Sequence, residues 1–316
     1  MQLIIFMEQL MKKTATTLFG LLLMSTAFAE VGVNGLVLDS TYTTYQDGIR
    51  IGKTVYEYNS KKQVTAIYDY GYDGDIATLT SRTVNTYNGN DQLLKQESYE
   101  LMEEDFVLAS VIEYSNWDEK SNEPGGYIYY ALDEEDPAAG LQLSIKQEAF
   151  FDSEGKPVDY HIYQWDAEIG DWTLSAKGQI SYNDQGQISE LFTSMDYEGF
   201  SVQNTATYEY DSHGSLTKET TTQTLNGYPM GSTVYSYVNE YYDDGNLKTV
   251  TETPDDSELS TIEYYFWGKG NTTRVNTIED ALRKTGIYFD LSGRSYNGTP
   301  TEPGIYIIGN RKVVVK

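Results

Sequence analysis

The chain has 316 residues, with 48 acidic and 22 basic side chains, a net charge of −26, and no cysteine. That charge repels phosphate backbones and anionic headgroups, which argues against nucleic-acid binding. The missing cysteine excludes disulfides, thiolate metal sites, a cysteine nucleophile and a lipidated cysteine anchor.

The N-terminus reads as an address. Met11-Lys12-Lys13 is a short basic region, Leu18 to Met24 an apolar core, and Ala27-Phe28-Ala29 a small-x-small cleavage site. Residues 1–29 are therefore expected to form a secretory signal peptide cut between Ala29 and Glu30, with Met11 as the natural start. The alternative is an N-terminal membrane anchor, but the apolar run is short for a bilayer and the Ala-x-Ala site argues for removal. No other stretch approaches a transmembrane span, so no integral membrane segment is expected in the mature chain.

Residues 30–270 are expected to form a β-hairpin repeat domain. The unit is plainest in Tyr210-Asp211-Ser212-His213-Gly214-Ser215-Leu216. Asp or Asn in second place can accept a hydrogen bond from the N–H two residues on. Gly in fifth place supplies the left-handed conformation that ends a type I turn. The aromatic and the aliphatic then face each other across two strands. Further copies begin at Tyr58, Tyr87, Phe151, Tyr182 and Tyr242, with Lys62 and Asp91 standing in the Gly place of the first two. In the Phe151 copy the aliphatic slips to Val158, and Tyr114-Ser115-Asn116 reads as a decayed copy. The period is about 30 residues, which is the mark of a repeat architecture.

Second turns lie between these corners, as at Glu103 to Phe106, Gly170-Asp171-Trp172, Glu198-Gly199-Phe200 and Asn226-Gly227-Tyr228. The runs between turns alternate as strands do, with Val202, Ala206, Tyr208 and Tyr210 on one face. The composition agrees: 29 Tyr, 10 Phe, 27 Gly and 7 Pro favour Tyr-rich antiparallel strands over helices. The expected fold is all-β, an extended antiparallel meander of up to about a dozen strands, curled or wound rather than flat. The aromatic-Asx-x-x-Gly-x-aliphatic unit resembles the tyrosine-aspartate (YD, Rhs-type) repeat of bacterial surface and toxin-shell proteins. The resemblance covers most of residues 50–250 and implies the strand–turn–strand module, without encapsulation of a toxin.

Residues 271–286 read as a linker, although Thr277-Ile278-Glu279-Asp280 could open a short helix as a capping box. Residues 287–316 predict three short strands, with turns at Ser292-Gly293 and Gly309-Asn310, ending in a basic terminus. The stretch Phe289 to Arg294, the run Pro303-Gly304-Ile305-Tyr306 and the terminus Lys312 to Lys316 resemble the C-terminal sorting domain of Bacteroidetes type IX secretion. That resemblance implies export to the surface or medium through secretion machinery, with Asp290, Gly293, Arg294, Pro303, Gly304, Tyr306, Lys312 and Lys316 carrying the motif. The plain alternative is a last hairpin of the domain. Asp39-Ser40-Thr41 likewise resembles the Bacteroidetes O-glycosylation site, which would place a glycan on Ser40.

Chemistry is sparse. The two histidines, His161 and His213, fall in different repeats, and no nucleophile elbow, zinc helix, calcium loop or phosphate loop accompanies them. No cofactor and no metal are expected, and no catalysis. Trp117, Trp165, Trp172 and Trp267 lie near turns and are the candidate ligand-stacking residues. Flat aromatics stack on sugar rings and form protein interfaces at low entropy cost; ordinary Tyr packing across a sheet is the competing reading. The expected function is non-catalytic binding of a glycan or surface protein through a Tyr-rich sheet. A scaffold without a ligand and a carboxylate-dependent glycoside hydrolase are the alternatives.

Overall fold

A computed structural model describes residues 32–315 except 103–104, 134–136, 198, 256–258, 271–286, 291–294, 298–303 and 309–310. The signal-peptide residues Ala29 and Glu30, the linker, and Gly293, Arg294, Pro303 and Lys316 of the tail lie outside these. The chain divides into one unit up to Gly270 and a second from Asn271.

The first unit is a closed antiparallel barrel of sixteen strands in which each strand pairs with its sequence neighbours and the last pairs with the first. The strands are β1 (Val37–Tyr45), β2 (Arg50–Tyr58), β3 (Val64–Asp73), β4 (Ile76–Tyr87), β5 (Leu93–Met102), β6 (Asp105–Trp117), β7 (Pro124–Leu132) and β8 (Leu141–Phe151). They continue as β9 (Pro157–Asp166), β10 (Asp171–Tyr182), β11 (Ile188–Tyr197), β12 (Phe200–Tyr210), β13 (Leu216–Leu225), β14 (Tyr228–Tyr241), β15 (Leu247–Pro254) and β16 (Thr261–Gly268). Two 3-10 turns, Val33–Gly35 and Pro137–Ala139, are the only helical segments among the described residues. The all-β meander of hairpins is as the repeats predict, but it holds more strands than a dozen. β1 and β16 lie outside the first and last repeat copies, and β6–β7 sits in the gap where the pattern had decayed.

The repeat corners follow their residue types. The side-chain oxygens of Asn59, Asn88, Asp118, Asp152, Asn183 and Asp211 accept from the N–H two residues on at 2.8–3.0 Å. The Gly places are left-handed, with φ of 81–89° at Gly155, Gly186, Gly214 and Gly245, and Lys62 and Asp91 adopt the same region at 63° and 68°. Three copies are shifted from the sequence reading. The decayed copy is Trp117-Asp118, where Trp117 pairs with Pro124 across a turn that reaches positive φ at Asn122. Phe151 pairs with Pro157 rather than Val158, because the strand register closes one residue earlier. In the last copy Tyr241, not Tyr242, pairs with Leu247, and Tyr242 stands in the Asx place with its N–H on Asn246 O.

Aromatics at several corners also tie one repeat to the one before. Tyr87 Oη donates to Val64 O at 2.8 Å, Tyr182 to Pro157 O at 2.8 Å, Tyr210 to Ile188 O at 2.7 Å, and Trp267 Nε1 to Leu247 O at 2.6 Å. A carbonyl at a strand start, beside a bulge, is thereby satisfied by a ring lying across the neighbouring strand.

Burial alternates along the wall. Tyr160, Ile162, Ala176, Ile180, Leu191 and Ala206 form one buried cluster across β9–β12. Between them Lys177, Gln179, Ser181, Glu190, Thr207 and Glu209 are exposed. Smaller clusters join Val37, Tyr58 and Val64, and Ile112 and Tyr127. Each cluster lies among neighbouring strands, so packing runs within the wall, as expected where sixteen strands enclose more space than side chains fill.

The second unit is a four-stranded antiparallel sheet ordered β18-β17-β19-β20, from β17 (Ile287–Asp290), β18 (Ser295–Asn297), β19 (Gly304–Ile308) and β20 (Arg311–Val315). It has one strand more than the sequence reading, since Ser295–Asn297 pairs back on β17.

Candidate functional site

The open face of β8, β9 and β10 carries an aromatic strip. Cross-strand register sets Lys146 opposite Tyr163, Glu148 opposite His161, and Trp165 opposite Trp172. A bulge between Leu174 and Ala176 turns Leu174 and Trp172 onto the face that holds Tyr163 and Trp165. The Trp165 and Trp172 rings are 5.3 Å apart at 72°, an edge-to-face pair. Lys146 Nζ lies 4.2 Å from the Tyr163 ring centroid and 5.9 Å from that of Trp172. Further along, Phe150 meets His161 edge-to-face at 4.8 Å. Phe150 is 43% and Leu174 42% exposed, so the strip keeps open apolar surface.

Its polar groups are mutually oriented. Lys146 bonds Glu148 at 3.1 Å, and Tyr163 Oη donates to the other Glu148 oxygen at 2.9 Å. The Lys146 hydrogen bond holds the Glu148 carboxyl below the usual carboxylate range, with Tyr163 adding to the effect against partial desolvation. Desolvation and the same carboxylate push the Tyr163 phenol up. The result is a cation fixed over aromatic faces beside a stable carboxylate, an arrangement that can stack and hydrogen-bond a ligand. A cleft of about 560 Å³ opens at the Phe150 end, lined by Trp117, Asp118, Glu119, Lys120, Glu148 and Phe150. Asp118 is held below the usual carboxylate range by the Ser121 N–H, its largest influence, with Lys120 adding to it.

The four candidate tryptophans separate. Trp165 and Trp172 meet in the strip, Trp117 lines the cleft from a repeat corner, and Trp267 closes the barrel against β1 and β15. Lys146, Glu148, Phe150 and Tyr163 were missed by sequence reasoning. The short, symmetric turn from Asp166 to Asp171 could have paired the two tryptophans, whereas the β8 residues depend on the register of the Phe151 corner, which the sequence misplaces by one residue. His161 lies in the strip, whereas His213 stacks on Tyr241 at 4.1 Å in a repeat corner. Among the described residues no group of three His, Asp or Glu is placed to hold a metal. Ser40 is half-buried within β1, paired on both sides. Asp290 ends β17, Gly304 and Tyr306 lie in β19, and Lys312 lies in β20.

No protein-family model matches the chain, and no curated protein does. Solved structures of related shape include a porin-like protein from Bacteroides vulgatus, at 9% identity and a TM-score of 0.38, covering 73% of this chain and 98% of that one. A Bacteroides fragilis protein of unknown function shares 12% identity over 42% of this chain and 94% of its own, with a TM-score of 0.34. A TcdB2–TccC3 structure shares 11% identity with a TM-score of 0.24, and matches 87% of this chain but 20% of its own. At these scores the likenesses carry no function to the chain.

Proposed function

We propose that this protein is an exported, non-catalytic β-barrel of the cell surface or medium that binds a glycan or protein through the strip on β8–β10. The observation that carries the reading is the Trp165–Trp172 pair beside Lys146 and Tyr163, an aromatic and cationic surface left open on a wall whose other tyrosines mostly pack or tie repeats together. The leader-like N-terminus and the sorting-like tail supply the export half of the reading. Charged side chains occupy both faces of the wall, with Glu219 and Glu252 among packed tyrosines and Lys177, Glu190 and Glu209 on the open side. A lipid-embedded barrel needs an uninterrupted apolar band on its outer face, so a water-soluble barrel is the better fit.

The test is binding of the full mature chain to a glycan panel and to surface-protein extracts, beside a Trp165→Ala, Trp172→Ala variant. Loss of a wild-type signal in a variant that melts normally supports the reading. A wild-type signal that the variant retains would overturn it, and a wild-type chain that binds neither class would leave the scaffold alternative.

A further inference from the structure

The meander places two chemically different rims on the barrel. The corners Asn59 to Gln63, Asp152 to Lys156 and Asp211 to Ser215 belong to one rim, and their tips are polar. The intervening turns all fall on the opposite rim, because every strand reverses direction. There, large apolar side chains stand in water: Ile49 58%, Ile76 70%, Phe106 40%, Ile169 65%, Tyr228 74% and Leu259 65% exposed. They come from six different hairpins spaced around the barrel mouth. Scattered single apolar residues need no account, but a ring recurring from turn to turn marks a contact surface.

The charge around this ring selects its occupant. Asp47, Asp73, Asp75, Asp105, Glu168 and Asp255 are exposed in the same turns. Arg50 is the one base among the described residues there, and it lies 3.6 Å from Asp75. Such a surface repels a second copy of itself and an anionic membrane, and attracts a partner that is both basic and apolar.

We propose that this rim is a docking surface for a cationic amphipathic protein segment, one that presents Lys or Arg beside large apolar side chains. The surface is separate from the tryptophan strip and adjoins it only at the β9–β10 turn, so the test leaves that turn untouched. The full mature chain is titrated with a labelled synthetic peptide of Leu and Lys in amphipathic helical order. A variant with Ile49→Ser, Ile76→Ser, Phe106→Ser and Tyr228→Ser keeps the net charge while removing apolar surface. Wild type binds the peptide, the variant binds at least about tenfold more weakly, and the same peptide with Glu for Lys does not bind. A second variant with Asp47→Asn, Asp73→Asn and Asp105→Asn weakens binding through charge alone, should the first fail to fold. Amide exchange shows protection in the apolar-rim turns. The proposal is overturned if the first variant folds and binds like wild type, if protection falls on the polar corners or the tryptophan strip, or if the chain ignores the peptide and binds phosphatidylcholine vesicles instead.

Discussion

Gly178 sits where no side chain fits. On the strand beside it, Tyr160 is 1% exposed and lies flat across Gly178 to reach Thr193, its hydroxyl 2.6 Å from Thr193 Oγ1. A Cβ at Gly178 would collide with that ring. Gly178→Ala must therefore push Tyr160 off the wall. Overpacking of this kind costs about 1–3 kcal/mol. The broken hydroxyl contact adds about 1 kcal/mol, with Thr193 itself only 3% exposed. The lower chain entropy of Ala in the unfolded state returns about 0.5–1 kcal/mol. The expected net loss is about 1–3.5 kcal/mol, read as a shift of the urea midpoint at constant slope. Tyr160→Leu is destabilising alone, but combined with Gly178→Ala it makes room for the Cβ, so the double variant should be at least about 1 kcal/mol better than the sum. Gly178→Ala within about 0.5 kcal/mol of wild type, or an additive cycle, would refute the claim that the ring needs the bare backbone.

Other outcomes follow from the corners, the ties, the buried carboxylates and the tail. Lys62→Gly should stabilise by about 0.5–1 kcal/mol while Gly214→Ala destabilises by about 1–2, because both positions are left-handed and only Gly accepts that freely; denaturant midpoints moving the same way would contradict this. Tyr210→Phe, which removes the bond to Ile188 O, should cost about 0.5–1.5 kcal/mol, whereas Tyr228→Phe, on a ring 74% exposed, should leave the melt unchanged. Burial and the neighbouring carboxylate raise Glu219 and Glu252 above the ordinary range, so their protonation favours the fold as pH falls from neutrality toward their unfolded values. Asp118 and Asp152 are depressed by turn N–H bonds, from Ser121 and Lys156 first, so their contribution is present above the unfolded value and is lost as pH falls through the folded one. Stability should thus peak on the mildly acidic side, and Glu219→Gln with Glu252→Gln should flatten the slope toward neutrality in melts taken across pH. Deleting residues 287–316 should hold the protein in the periplasm; unchanged surface or medium levels would remove the export role of the tail.

The hairpin unit was legible because its reasons are local. An Asx oxygen, a left-handed fifth position and a facing aromatic and aliphatic act within a few residues, so the corners at Asn59, Asn183 and Asp211 could be placed from sequence. Lys62 and Asp91 in the Gly place left the register intact, but a changed Asx place or a longer corner moved it. Tyr242 in the Asx place and the longer corner after Trp117 hid one copy and displaced another. Closure was not legible, because the pairing of Val37 with Gly268 depends on the accumulated coil of the intervening strands. The strip was half legible: the turn from Asp166 to Asp171 joins its tryptophans, while Lys146 and Phe150 come from β8, across a hairpin whose register the sequence misplaces by one residue at Phe151.

The repetition itself shows where specific function can reside. A position that obeys the unit in successive copies is explained by the corner and the tie, as Tyr87, Tyr182 and Tyr210 are by their bonds to the preceding carbonyls. Trp267 belongs with them, since its ring nitrogen makes the same bond. Trp165 and Trp172 do not: they flank an intervening turn, face away from the buried cluster, and meet each other edge-to-face, with Lys146 5.9 Å from the Trp172 ring. Neither ring belongs to the buried cluster, so on the binding function proposed above the pair serves contact with another molecule more than the wall. Replacing Trp267 should therefore cost stability, and replacing Trp165 and Trp172 together should cost binding with little change in the melt. The opposite assignment of those two effects would reverse the separation between scaffold and site.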